Sequence, residues 1–285
     1  MLDFIRRSKL SYELYNLFKR KQLLHNLPLY KKYGIDKKYW SSISSSDLVH
    51  IDPKASGPSE GRLPSDFGEP INRQLNTWDD KGYVILREFY DPATVDGINA
   101  EVDELVRTKK ANWRFNSRIM FANKVSCAIQ DLGTEKRLTD ILGHLLGREV
   151  KLFQSINFLR ASQQRAHSDS IHMSTFPQGY LTAAWIALED MTPENGPLHY
   201  YPGSHKLPYI MNKDFGNEGT RFMLGPKSYG DYEDKVQELI DEHGLKKETF
   251  LAKSGDVLIW HANLLHGGEP LLDKDRTRKS MVFHY

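Results

Sequence analysis

The C-terminal stretch from Gly255 to Tyr285, GDVLIWHANLLHGGEPLLDKDRTRKSMVFHY, holds the pattern that decides the fold. A β-type apolar run, Val257 to Trp260, leads into His266-Gly267-Gly268, a turn-rich segment, and a terminal run that carries Arg278 and Ser280. Residues two apart on a strand share a face, so the Arg278 guanidinium and the Ser280 hydroxyl project together. A planar guanidinium fork suits a carboxylate, and a hydroxyl beside it adds a further donor. Arg276 has the same parity as Arg278, and alternation alone does not separate them. His261 follows the VLIW run directly and reads as a buried core histidine, whereas the glycine-rich context of His266 favours it as a ligand.

Working outward, short β-type runs begin near Val150: KLFQSINFLR (151–160), LTAAWIALE (181–189) and LHYYPG (198–203), separated by turn clusters such as Pro193-Glu194-Asn195-Gly196. Before them, Gly82 to Phe89 alternates enough for a strand. Pro92 to Arg107 has helical spacing through Val95, Ile98, Val102 and Val106, with Asp91 as N-cap, and Thr134 to Leu146 reads as a second helix. Helices followed by many short strands predict an α+β chain whose second half is a sandwich or barrel. Residues 206–253 interrupt the strands with a polar insertion containing a helix over Tyr232 to Glu242, and insertions of this length are often lids.

The chemistry is expected among the histidines, of which there are eleven. In His167-Ser168-Asp169 an imidazole and a carboxylate lie two residues apart, and on a strand both would project to one face as a two-point chelate. A third ligand from a distant strand would complete two nitrogens and one oxygen on one face of an octahedron, with three positions open, the facial triad of non-haem iron(II) oxygenases. His172, His199, His205 and His284 are the other candidates in this half of the chain. His172, three residues past Asp169, is expected near the pocket mouth as a substrate contact, and His205 is expected to shape its turn. Cys127 is expected to be a buried small hydrophobe.

The HSD triplet, LTAAWIALEDMTPENGPLHYYPGSHK, GDVLIWHANLLHGG and the closing TRKSMVFHY together resemble the phytanoyl-CoA dioxygenase family of Fe(II)- and 2-oxoglutarate-dependent oxygenases over roughly residues 75–285. The resemblance implies a double-stranded β-helix, or jelly roll, of the cupin type with the site in its open end. It implies Fe(2+) held by His167, Asp169 and His266. It implies 2-oxoglutarate bound by Arg278, with Ser280, Trp185 and, as a looser match, Asn157 beside it, and O2 as the second cosubstrate. The implied reaction is hydroxylation of an unactivated C–H bond of a small-molecule, lipid-linked or glycan-linked substrate, with release of succinate and CO2. Desaturation, demethylation or cyclisation at the same site, or a non-catalytic 2-oxoglutarate-binding module, are the alternatives. Asp169 argues against a halogenase, because related halogenases carry a small residue there.

The chain has 285 residues and a formal net charge of +2, enough for one large core or two small ones. Its single cysteine excludes an intrachain disulfide scaffold and points to a reducing, cytoplasmic setting. The charge is unevenly placed: residues 1–40 contain ten Lys/Arg against Asp3, Glu13 and Asp36, leaving the rest at −5. Leu10, Leu14, Leu17 and Phe18 fall on one helical face, so residues 1–40 read as a basic amphipathic helical extension with possible peripheral membrane contact. Residues 41–74, rich in Ser, Pro and Gly, read as a connector, and 75–285 as the oxygenase domain. No nucleic-acid partner is expected, since the remainder is acidic and carries no recognised module.

Overall fold

The β-type runs become ten strands among the described residues of a computed structural model, which describes residues 8–10, 66–114, 118–173, 179–220 and 222–285. The larger sheet has the order β1 (Tyr83–Leu86), β8 (Val257–His261), β5 (Thr182–Ala187), β10 (Ser280–His284), β4 (Gln154–Phe158), β3 (Arg118–Met120) and β2 (Trp113–Arg114), with every pairing antiparallel. The smaller sheet has the order β7 (Glu248–Phe250), β6 (Leu198–Tyr200) and β9 (His266–Gly268), also antiparallel. From β5 onward the chain steps between sheets almost strand by strand: β5 large, β6 and β7 small, β8 large, β9 small, β10 large. That alternation is the winding of a jelly roll.

Parity sorts the side chains into two layers. Tyr83, Ala183, Trp185, Leu258, Trp260 and Val282 face inward and pack on Leu198, Tyr200 and Phe250 of the small sheet. Tyr83 and Tyr200 rings lie 4.4 Å apart. The alternate residues, Val84, Ile186, Ile259, Met281 and Phe283, face outward under three helices, α3 (Pro92–Arg107), α4 (Cys127–Gly133) and α5 (Lys136–Leu146). Two shorter helices, α1 (Glu69–Leu75) and α2 (Trp78–Lys81), precede β1. Because both faces are covered, β5, β8 and β10 are buried at every position. Each fully buried aliphatic side chain in these layers contributes roughly 1.5–3 kcal/mol.

The helix over 92–107 forms as expected. Asp91 accepts from the Thr94 N–H at 2.7 Å, Pro92 occupies the first turn, and Leu105 rather than Val106 completes the fully buried stripe. Five expectations are corrected. The connector ends earlier than residue 74, since α1 lies inside it and buries Leu75. The second helix starts at Lys136 and is preceded by the separate α4, so Cys127 is exposed in a first turn rather than buried. The inserted helix, α6 (Tyr229–Glu242), starts three residues before the expected Tyr232, where Ser228 and Asp231 cap each other. Residues 248–250 are strand β7, so the insertion ends sooner than residue 253.

The chain divides into two compact units, the larger spanning 52–169, 179–207 and 245–285 and the smaller spanning 1–51, 170–178 and 208–244. In the smaller unit α6 buries Tyr232, Val236 and Ile240 at four-residue spacing. Most of the basic helix expected over 1–40 lies outside the described residues. No helix among the described residues is long and apolar enough to cross a membrane.

His261 points outward from β8, 7% exposed, beside Trp78 and 5.4 Å from the His205 ring, as expected of a core histidine. Burial, with His205 as a like-charged neighbour, pushes its imidazole from 6.5 down to about 3. The unfolded chain therefore binds a proton that the fold refuses, and stability is complete above the unfolded value and lost as pH falls toward the folded one. The expected slope is about 1.4 kcal/mol per pH unit below the unfolded value. Urea unfolding at pH 7, 6 and 5 checks this, and His261→Asn, which keeps an acceptor for the Asn263 N–H, should flatten the slope.

Candidate metal and cosubstrate site

His167 is held against β9 by an antiparallel bridge. Its N–H donates to the His266 carbonyl and the His266 N–H donates back, both at 2.9 Å. Gly268 N–H donates to the Gln164 carbonyl at 2.9 Å, extending the contact. This explains the two glycines after His266. A Cβ at Gly267 would lie 2.6 Å from the Gln164 oxygen, and one at Gly268 would lie 2.7 Å from Ser162 Oγ, so side chains there would force the segment bearing His167 away.

Asp169 opens a 3₁₀ turn rather than continuing a strand. The convergence of His167 and Asp169 therefore comes from a bridge followed by a turn, not from strand alternation. His167, Asp169 and His266 each offer a ligand atom, all within 4.8 Å of one another, and all three are buried. His167 Nδ1 lies 2.9 Å from the Arg165 carbonyl and His266 Nδ1 lies 3.0 Å from the Leu264 carbonyl. A carbonyl only accepts, so each Nδ1 carries the proton and each Nε2 carries the lone pair. Such outer hydrogen bonds fix tautomer and ring orientation in metal-binding histidines.

Trp260, which sequence reasoning did not single out, and His284, one of its histidine candidates, complete the cluster. Trp260 Nε1 donates to Asp169 Oδ2 at 2.7 Å, and His284 Nε2 lies 3.6 Å from the same oxygen. Burial acts to raise the Asp169 carboxyl, but the surrounding imidazoles of His266, His284 and His167, His284 also through a hydrogen bond, outweigh it and hold it well below the usual carboxylate range. The donor set of two imidazole nitrogens and one carboxylate oxygen fits iron(II).

Ser280 and Val282 share the inward face of β10 with His284, and Arg278 precedes them at the same parity. Arg278 is 2% exposed and donates to Ser280 Oγ. Its guanidinium carbon lies 5.1 Å from the Phe158 ring centre and 5.9 Å from that of Trp185. Burial, with Arg118 as a like-charged neighbour, lowers it to about 10, so it stays a cation at neutral pH. Arg278 Nε and Trp185 Nε1 are buried without hydrogen-bond partners among the described residues. A buried cation and unpaired donors on one inward face fit the far carboxylate of a dicarboxylic 2-oxo acid.

Arg118 and Phe158 were also missed; Arg118 sits opposite Phe158 in the β3–β4 register, its guanidinium carbon 5.3 Å from that ring. Asn157 is not brought to this face. It pairs with Ile119 and Met281, which belong to the outward, helix-covered layer, so strand parity separates it from Arg278 and Ser280. His172 belongs to the smaller unit, exposed, with Nε2 3.0 Å from the Tyr229 hydroxyl.

The model of the phytanoyl-CoA dioxygenase (PhyH) family matches residues 78–279. Among curated relatives, the ectoine dioxygenase of Nocardia farcinica is 29% identical over 227 residues, 72% of this chain and 74% of that one. That of Halomonas elongata is 26% identical over 230 residues, 74% of this chain and 68% of that one. Among solved structures, the non-heme alpha ketoglutarate dependent carbocyclase SnoK from nogalamycin biosynthesis superposes with a TM-score of 0.63 at 18% identity, covering 80% of this chain and 86% of that one. EctD from S. alaskensis with 2-oxoglutarate and 5-hydroxyectoine gives 0.58 at 22% identity, covering 80% and 82%. These likenesses support the jelly-roll fold. The chain, with its His-Asp-His cluster, belongs to the phytanoyl-CoA dioxygenase family and is an Fe(II)- and 2-oxoglutarate-dependent dioxygenase.

Proposed function

We propose that this dioxygenase hydroxylates an unactivated C–H bond of a small, freely diffusing molecule, with the metal on His167, Asp169 and His266 and the cosubstrate's far carboxylate on Arg278. The observation that carries the reading is that Asp169 of the three-ligand cluster meets Trp260 and His284 on the inward face of the large sheet, the face that also carries the buried Arg278–Ser280 pair. When bound, iron(II) and 2-oxoglutarate supply the oxidation: dioxygen is split between succinate formation, with loss of CO2, and one oxygen atom delivered to substrate.

The protein's own residues bind, orient and exclude water. Arg278 pairs with the carboxylate while Ser280 holds the guanidinium in register, and the Trp185 and Phe158 rings wall the cosubstrate. The backbone carbonyls of Arg165 and Leu264 keep both ligand imidazoles in the metal-binding tautomer. Inside the barrel, Trp185, Leu258, Phe250 and Val282 present apolar surface that keeps the reaction dry.

A small-molecule substrate is favoured over a lipid- or glycan-linked one. Ectoine dioxygenases from Nocardia farcinica and Halomonas elongata are among the curated relatives aligned over more than two thirds of this chain. A succinate-release screen over soluble metabolite fractions, with Fe(II) and 2-oxoglutarate, tests this. The expected result is substrate-stimulated succinate and a product heavier by one oxygen. A product lighter by two hydrogens would replace hydroxylation with desaturation, and stimulation only by membrane extracts would overturn the small-molecule reading.

A further inference from the structure

Trp260 lies on β8, 3% exposed, with its backbone fixed by the Thr182 hydroxyl, which donates to the Trp260 carbonyl at 2.8 Å. Its indole ring packs 4.5 Å from the His266 ring, and its N–H ends 2.7 Å from Asp169 Oδ2. His284 approaches that same oxygen at 3.6 Å, whereas His266 Nε2 lies 3.7 Å from the other oxygen, Oδ1. The two carboxylate oxygens are thus in different company: Oδ1 faces the ligand histidine and Oδ2 is taken by an indole donor.

We infer that Trp260 is a positioning residue that confines Asp169 to ligation through one oxygen. The inference rests on the metal assignment proposed above. An octahedral ion with two imidazoles and a one-oxygen carboxylate keeps three positions, enough for a two-point 2-oxo acid and dioxygen. If both carboxylate oxygens bound, only two positions would remain; a two-point 2-oxo acid would fill them and leave none for dioxygen. The indole hydrogen bond keeps the third position open by occupying Oδ2, with the ring held too firmly by His266 and the barrel core to swing away. A charge-assisted hydrogen bond of this kind is about twice as strong as a neutral one.

The test replaces the donor without changing the shape. Trp260→Phe removes the N–H, and incorporation of 3-benzothienylalanine at position 260 replaces it with sulfur in a ring of nearly the same size. Two measurements are made anaerobically: the number of metal-bound waters, from the broadening of the Mn(II) electron paramagnetic resonance lines in oxygen-17-enriched water with and without 2-oxoglutarate, and 2-oxoglutarate binding to the Fe(II)-loaded protein from the visible charge-transfer band of the chelate. All three proteins should bind Mn(II) and form the chelate; the wild type should keep one bound water once 2-oxoglutarate is in place, and both variants should lose it. A bound water retained in the chelate of the benzothienyl protein would overturn the inference, even if Trp260→Phe fails to fold. Parallel loss of Mn(II) and 2-oxoglutarate binding would also overturn it, since that is the signature of a packing residue. A wild-type protein that shows no chelate band would instead sink the metal and cosubstrate assignment itself.

Discussion

Asp169→Ala is expected to abolish substrate-stimulated succinate release and to weaken Fe(II) binding by more than the roughly 10–100-fold that loss of an outer-shell partner costs. Asp169 is the single anionic ligand in the cluster, and its carboxyl is held ionised by the surrounding histidines. Removing it leaves two imidazoles, too few donors to retain iron(II) against water. It also strips the Trp260 N–H of its acceptor inside a dry layer, which costs about 1–3 kcal/mol. Asp169→Asn separates the two effects, because an amide oxygen still accepts from Trp260 but is a poor ligand. Its thermal midpoint should stay near wild type while metal binding and turnover are lost. Full turnover in either variant would remove Asp169 from the metal site.

Arg278→Leu should raise the KM for 2-oxoglutarate at least 30-fold, because truncating one partner of a buried charge pair costs roughly 2–5 kcal/mol. kcat at saturating cosubstrate should change much less, the pattern of lost uniform binding. The variant should also favour 2-oxo acids whose tail ends in a methyl group rather than a carboxylate, since the pocket would then present leucine, Phe158 and Trp185. Its stability should not fall. Arg278 is a buried cation lowered toward deprotonation by its burial and by Arg118, and replacing it with an apolar side chain relieves both. Steady-state kinetics with both classes of 2-oxo acid and a thermal melt check these outcomes; an unchanged KM would move the carboxylate anchor to another residue.

Much of the fold was legible because its signals are local. The runs of Val257–Trp260 and Ala183–Leu188, the Asp91 cap and the glycines after His266 are written in neighbouring residues. The three ligands were legible too, but the reason given for the His167–Asp169 pair was wrong in detail: a 3₁₀ turn, not strand parity, brings Asp169 round. Parity failed again at Asn157. In β4 the polar Ser155 and Asn157 are the buried residues and the apolar Ile156 and Phe158 are half-buried, so hydropathy does not say which side Asn157 takes. The Trp260–Asp169 contact joins residues 91 apart, and the Arg118 neighbourhood depends on a three-residue edge strand. Neither leaves a periodic trace. Long-range pairing of single side chains is a property of the assembled sheets, whereas ligand type and turn chemistry are properties of the sequence.

The most direct measurement is an anomalous-difference map recorded at the iron edge on anaerobically grown crystals loaded with Fe(II) and 2-oxoglutarate. The account predicts one strong peak within bonding distance of His167 Nε2, Asp169 Oδ1 and His266 Nε2, with the cosubstrate running from it to Arg278. A peak coordinated by other residues, or 2-oxoglutarate bound without contact to Arg278, would contradict it.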